Sequence, residues 1–336
     1  MTAAIRPGQD SDADAIIRLI GDCWAEYPGC LMDVDGELPE LRALASWFAA
    51  AGGALWVADD AAGISGMVAV RPGPDAGSWE ICRLYVAREA RGAGLAHALL
   101  DLAEGHALAA GARSLVLWTD TRFLRAHGFY EKRGYLRQGP IRVLDDISRS
   151  LEFRYAKPSR GLVAQSLDAA GAASAQRGLA RLIRAMGAGE SEPPGDAWRD
   201  VAAGVAQGGR ALVVAWMDGE LVGAAQLGLD ERGAPPHRAV MNGLLLAPCC
   251  DRTIVARALL GEAEAAGKAR GKRLLTAEWP ADDPAAAAFH DRGWHCAGRI
   301  PGGAQSTGGA PADSLIFCRA LGPGIPGAEA ADVGRQ

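Results

Sequence analysis

Residues 91–96 read Arg91-Gly92-Ala93-Gly94-Leu95-Ala96, between the strand-like run Ile81-Cys82-Arg83-Leu84-Tyr85-Val86 and a stretch that reads as helix to about Ala110. Glycine turns the chain tightly and lets a ligand approach the backbone with no Cβ in the way. The first amides of a helix lack intrahelical acceptors, and the helix dipole adds positive potential at that end. Arg91 adds a charged, forked donor that suits phosphate oxygens. The stretch therefore reads as strand, phosphate-holding loop, helix. In a chain with 44 glycines such a turn also arises without function, so its weight depends on the segments downstream. A dinucleotide site is disfavoured, because the acidic residue expected about 20 residues on has no clear candidate in the apolar and basic run Arg113 to Trp118.

Further along the chain stands Phe129-Tyr130-Glu131-Lys132-Arg133-Gly134-Tyr135, a tyrosine on a helix that ends in a glycine turn. Both signals recur, loosely, at an offset near 160 residues. Gly94-Leu95-Ala96-His97-Ala98-Leu99-Leu100 stands against Ile254-Val255-Ala256-Arg257-Ala258-Leu259-Leu260, and the tyrosine helix against Ala288-Phe289-His290-Asp291-Arg292-Gly293-Trp294. The strand-like runs 81–86 and 241–246 match, as do the hairpins Leu55–Val70 and Leu212–Leu229, the latter turning at Asp218-Gly219. So long a period means two copies of a domain rather than a solenoid. A seam is expected near Lys157-Pro158-Ser159-Arg160-Gly161, giving domains at 1–158 and 162–322 and a disordered Gly/Ala/Pro-rich tail at 323–336.

Size agrees with two domains: 336 residues suit two of roughly 150 each. A net charge of -5 implies no general affinity for nucleic acid or anionic membrane. No apolar run approaches the roughly 18 residues of a membrane span, and the N-terminus lacks a signal peptide's apolar core. Seven scattered cysteines without a C-x-x-C pair indicate neither a zinc site nor a disulfide framework, so a reduced cytoplasm is expected.

Within the first copy, a strand at 4–6 leads to a helix capped by Ser11 or Asp12, with Ile16, Ile17, Ile20 and Trp24 on its apolar face. A second helix is expected around 40–51, strands at 54–58, 66–70 and 79–86, and a helix at 94–110 buried through Leu95, Leu99 and Leu102. A strand at 114–118, the tyrosine helix at 123–133 and closing strands that include 151–155 complete it. The second copy keeps the same order and ends in a strand at 315–319. The expected class is α/β, a mixed sheet flanked by helices in each of two tandem domains.

This order of strand, Arg-x-x-Gly-x-Ala loop, helix, strand and Phe-Tyr-Glu-Lys-x-Gly-Tyr helix resembles the GNAT superfamily of acetyl-CoA-dependent N-acetyltransferases, over residues 3–158. The second half also looks like this family, through His237-Arg238-Ala239, then Phe289 to Trp294 and Gly298-Arg299-Ile300-Pro301. That pattern is similar to the tabtoxin-resistance-type acetyltransferases, from about 162 to 322. The copies are not equivalent. Asp251, Ile254 and Phe289 stand where the first copy has Arg91, Gly94 and Tyr130. A carboxylate repels pyrophosphate, a β-branched residue blocks close approach, and phenylalanine has no proton to give. The second copy therefore reads as a structural partner, packed on the first across a pseudo-twofold interface.

The resemblance implies transfer of an acetyl group to a primary amine of a small molecule or peptide, by direct attack in a ternary complex. An alkyl ammonium with a pKa near ~10 is about one part in a thousand neutral at pH 7, so a base is needed. Glu80, evenly spaced from Val86 on one strand, is the candidate; its plainer reading is a solvated strand-end carboxylate. Tyr130 would protonate the departing thiolate; its plainer reading is a packed core tyrosine. Backbone groups of Leu84, Tyr85 and Val86 would orient the pantetheine arm, and Arg91, Gly92, Ala93, Gly94, Leu95 and Ala96 would hold the pyrophosphate. Tyr27, Asp33 and Asp35, in a 27–37 loop whose carboxylates favour a cationic amine, and Asp120, where the fifth strand ends within reach of acceptor or cofactor, are the acceptor-site candidates. Asp33-x-Asp35-Gly36 hints at calcium but lacks the remaining ligand spacing, so no metal is expected. A non-catalytic acyl-CoA-binding regulator or scaffold is the alternative, since the second copy shows such decay within this chain.

Overall fold

A computed structural model describes residues 4–60, 63–186, 198, 200–230, 235–305 and 310–322; the tail expected at 323–336 lies outside these described residues. The chain divides into two compact units, 1–160 and 161–336. Unit 1 runs β1 (Ala4–Pro7), α1 (Ala13–Ala25), α2 (Leu44–Ala50), β2 (Ala54–Asp60), β3 (Gly63–Pro72), β4 (Ser78–Val86), α3 (Leu95–Ala109), β5 (Ser114–Asp120), α4 (Leu124–Lys132), β6 (Leu136–Arg137), β7 (Arg142–Val143) and β8 (Leu151–Pro158). Unit 2 runs β9 (Leu162–Leu167), α5 (Ala169–Ala185), α6 (Val201–Ala206), β10 (Arg210–Met217), β11 (Glu220–Gly228), β12 (Arg238–Leu246), α7 (Arg252–Ala269), β13 (Leu274–Pro280), α8 (Ala286–Asp291), β14 (His295–Gln305) and β15 (Pro311–Ala320).

The two sheets share one topology. The first has the order β1-β2-β3-β4-β5-β8-β6, with β7 added to β8, and the second β9-β10-β11-β12-β13-β15-β14. Every described pair is antiparallel except β4 with β5 and β12 with β13. These two parallel pairs are short. Ser78–Ile81 lies against Ser114–Leu117, after which β4 and β5 continue without pairing. The strands splay into a wedge.

A β-bulge shapes the same strand. The ladder between β3 and β4 shifts by one residue between Met67 and Ala69, opposite Arg83, whose φ is +51°. One extra residue reverses the parity of everything after it. Glu80 and Val86 therefore do not share a face, although their even spacing predicts it. Ile81, Leu84 and Val86 pack with the α3 and α4 layer, whereas Cys82 and Tyr85 pack with α1.

Helix α3 is buried through Leu99, Leu100, Ala103 and Ala107, while Leu102, expected in the core, is 40% exposed. Leu99, Leu100, Ala103 and Ala107 form one buried face, and at about 100° per residue Leu102 turns out of it. Helix α1 buries Ile16, Leu19, Ile20 and Cys23, leaving Ile17 and Trp24 half-buried at the margin. Asp12 occupies its N-cap position without a side-chain cap bond, its carboxylate being held by Arg6 and the amide of Gln9.

One polar tie recurs in both units. Glu104 of α3 accepts from Arg133 at 3.0 Å and from the Tyr135 hydroxyl at 2.9 Å, with Lys157 at 3.0 Å. Glu264 of α7 accepts from Arg292 at 3.0 and 2.8 Å and from the Trp294 indole at 2.9 Å. The Arg-Gly-aromatic signature after α4 and α8 thus fastens a buried helix carboxylate, which explains its survival in both copies.

Candidate active site

The wedge between β4 and β5 opens into a cavity of about 590 Å³. Cys82 to Tyr85 of β4 line one wall, Trp118 to Asp120 of β5 the other, and Tyr130 of α4 the interior. Tyr130 is 7% exposed, and among the described residues nothing hydrogen-bonds its hydroxyl. Its ring is fixed by Phe129, Tyr135 and Tyr155, with centroids at 5.5, 5.8 and 6.4 Å. Burial, aided by Tyr85 and Cys82 nearby, pushes the phenol above its ordinary range, so it stays protonated and able to donate.

Glu80 lines the same cavity. Its Oε2 accepts from Arg71 Nη2 at 2.7 Å and Nε at 3.0 Å, leaving Oε1 for a ligand or water. Cys82 is pushed up to about 12 by burial and then by the Glu80 charge, so it remains a thiol and supplies no nucleophile. The Trp24 indole donates to the Tyr85 hydroxyl at 2.9 Å. That pair holds the bulged end of β4 against α1, a role the sequence signals only through the stray aromatic Trp24. Leu84 and Tyr85 line the cavity; Val86 does not, because its carbonyl accepts from Arg91 Nε at 2.9 Å and it pairs with Gly66.

The glycine loop leads into α3 with Gly92 and Gly94 at φ of +86° and +87°, conformations that favour glycine. Among the described residues, none accepts from the amides of Gly92, Ala93, Gly94, Leu95 or Ala96. These orphan donors converge on the helix start and suit an anion. Arg91 is not aimed with them. Both its Nη atoms bind Glu26, at 2.8 and 2.5 Å, strapping the loop to the end of α1 in a bidentate pair that holds the Glu26 carboxyl below its usual range. The expected phosphate fork is a structural strap here.

The acceptor candidates divide. Asp120 lines the cavity: burial works to raise its carboxyl, but hydrogen bonds from the Arg122 side chain and backbone outweigh that and hold it low. Tyr27 lies outside the lining and packs tilted against Phe123, with ring centroids 4.6 Å apart. Asp33 closes a turn on the amide of Gly36, and exposed Asp35 pairs with Arg42; neither reaches the cavity. Glu37, Asp145 and Asp146 reach it instead. The latter two come from the β7–β8 loop, which clasps the α1–α2 loop: Ser148 Oγ accepts from the Leu31 amide at 2.8 Å, and Glu37 accepts from the Ile147 amide at 2.6 Å.

Unit 2 repeats the wedge with a different lining. Asn242 to Leu244 and Ala277 to Trp279 line a cavity of about 400 Å³ with Phe289. Phe289 stacks on Phe317 at 4.5 Å, and Val240 holds the register place of Glu80 in the parallel pair. Helix α7 begins at Arg252, so residues that form an open loop in unit 1 are its first turn. Asp251 caps that turn, accepting from Thr253 at 3.0 Å and Ile254 at 3.1 Å. A carboxylate of the chain itself occupies the start of α7.

Among the described residues, no group of three His, Cys, Asp or Glu could hold a metal ion, and no helix is long and apolar enough to cross a membrane. No curated protein matches the chain. Similar solved structures include an N-acetyltransferase from Staphylococcus aureus Mu50, 22% identical over 47% of this chain and 99% of that one, TM-score 0.40. Another is yncA of Salmonella typhimurium, solved with its cofactor acetyl-CoA, at 16% identity over 49% and 96%, TM-score 0.40. A third is a ribosomal-protein-alanine N-acetyltransferase from Brucella melitensis, at 19% over 46% and 98%, TM-score 0.38. The model of the acetyltransferase (GNAT) family matches residues 15–135 and again 179–294, more than half of the chain. The chain belongs to the GNAT acetyltransferase family, with two GNAT domains in tandem.

Proposed function

We propose that unit 1 transfers the acetyl group of acetyl-CoA to an amine, and that unit 2, a tabtoxin-resistance-like copy, performs no transfer. The asymmetry at equivalent positions carries this reading: Tyr130 with a free hydroxyl against Phe289, and open helix amides against the Asp251 cap. The amides of Gly92 to Ala96 would hold the pyrophosphate, and the unpaired edge of Leu84 and Tyr85 would align the pantetheine amides, strand to strand. Acetyl-CoA supplies an activated acyl carbon. A neutral amine forms the new C–N bond as the C–S bond breaks; the surplus proton on nitrogen passes to Glu80 or to water, and Tyr130 protonates the departing sulfur.

Gly94→Asp tests the assignment by placing a fixed carboxylate at the start of α3. No atom lies within 4 Å of a Cβ at Gly94, and although its φ of +87° strains any side chain, aspartate is among the residues strained least there. Acetyl-CoA at about 100 times its Kd should stabilise the parent by roughly 2.7 kcal/mol and the variant not at all. Calorimetry on the full chain decides it. A one-site acetyl-CoA isotherm of parental strength in Gly94→Asp would place cofactor binding elsewhere.

A further inference from the structure

We propose that the acceptor carries a second positive charge: one amine reacts in the wedge while the other cation rests among Glu37, Asp145 and Asp146. The inference rests on the acetyl-transfer reading of this cavity and adds its substrate class. Every arginine lining the cavity is already tied to a carboxylate, Arg71 to Glu80, Arg83 to Glu40, Arg122 to Asp120 and Arg142 to Glu152. Among the described residues no lysine lines it. Glu37 and Asp145, both exposed, and half-buried Asp146 make no ion pair within 4 Å among the described residues, although Arg122, already bound to Asp120, lends Asp146 some of its charge.

Two of these carboxylates are anchored by a single oxygen. Glu37 Oε1 accepts from the Ile147 amide at 2.6 Å, and Asp146 Oδ1 from the Ser150 amide at 2.7 Å. The second oxygen of each is left to accept from a ligand, as are both oxygens of Asp145. Tyr130, nine-tenths buried as a residue and with no partner for its hydroxyl, lines the same cavity and marks its reacting end. A monocation would satisfy one end of this cavity only. In an acceptor with two separated amines the resting cation meets these carboxylates, and the acetyl group takes only the nitrogen that enters the wedge, where Glu80 and Asp120 are already paired with arginines. Acetyl-CoA is the acyl donor: the C–N bond forms, the C–S bond breaks, sulfur takes the Tyr130 proton, and the nitrogen's surplus proton leaves to Glu80 or water.

Kinetics of 1,4-diaminobutane against butylamine, on the full chain, test this. The diamine should be preferred at least about tenfold in kcat/KM, from a few charge pairs each worth up to about fivefold. Glu37→Gln, Asp145→Asn and Asp146→Asn together remove charge but keep hydrogen-bond acceptors. In that triple variant the preference should fall to parity, the loss appearing in KM for the diamine rather than in kcat. Calorimetry with 1,4-diaminobutane alone should show saturable binding in the parent, lost in the triple variant. Equal use of the two amines by the parent, an equal loss on both in the variant, or absence of a diamine isotherm overturns the inference. A diamine isotherm with no CoA release from any amine overturns the acetyl-transfer reading and with it the acceptor role, so the two failures are distinguishable.

Discussion

Tyr130→Phe is expected to lower turnover by about a hundredfold or more while leaving acetyl-CoA affinity within about twofold. The substitution removes one oxygen and keeps the ring that Phe129, Tyr135 and Tyr155 hold. Unit 2 carries the same change at Phe289 in a fully buried, well-packed position, so the fold tolerates it. Because burial raises the phenol above its ordinary 10, the acid form persists across the working range. An acid must be protonated to act, so a raised pKa extends activity upward. The rate should rise with pH as the acceptor amine loses its proton, with no fall below about pH 10 from Tyr130. Free CoA release, measured against pH in parent and variant, checks both parts. Equal turnover would assign Tyr130 to packing.

The second large effect concerns stability. Glu104→Ala is expected to destabilise unit 1 by about 3–5 kcal/mol, the usual result of stripping one partner from a buried ionic group. Lys157, 6% exposed, would lose its carboxylate partner, and the fully buried Tyr135 its hydroxyl acceptor. Arg133 would keep the exposed Asp101. Denaturant unfolding, monitored by the signal of unit 1, measures this. A loss under about 1 kcal/mol, as for an exposed pair, would show that the network contributes little. Glu104→Gln should recover part of the loss, because an amide oxygen still accepts from Tyr135.

These residues also show what the sequence discloses. The glycine loop, the tandem repeat and the order of elements were legible because turn residues and helix periodicity are local signals. That position 289 is phenylalanine where unit 1 has Tyr130 is legible from the sequence alone. The face of Val86 was not legible, since the bulge at Arg83 belongs to strand pairing rather than to strand composition. The place of Leu102 is not legible, because Leu99, Leu100, Ala103 and Ala107 together set the buried face of α3 and small alanines do not stand out in a hydrophobic pattern. Arg91 reads as a phosphate ligand until Glu26, 65 residues away, claims it. Asp145 and Asp146 gave no signal, because their loop joins the cavity only through contacts such as Ser148 to Leu31, 117 residues apart.

The two helix starts obey different laws of mass action. Asp251 is a tethered anion, and its effective concentration at the first turn of α7 is set by covalent attachment and does not vary with the surroundings. The start of α3 has no such resident, so on the proposed reading its stability is a function of what the solution contains, rising with the logarithm of cofactor concentration above Kd. One half of the chain would then act as a gauge of its cofactor supply, and the other as an element of constant stability.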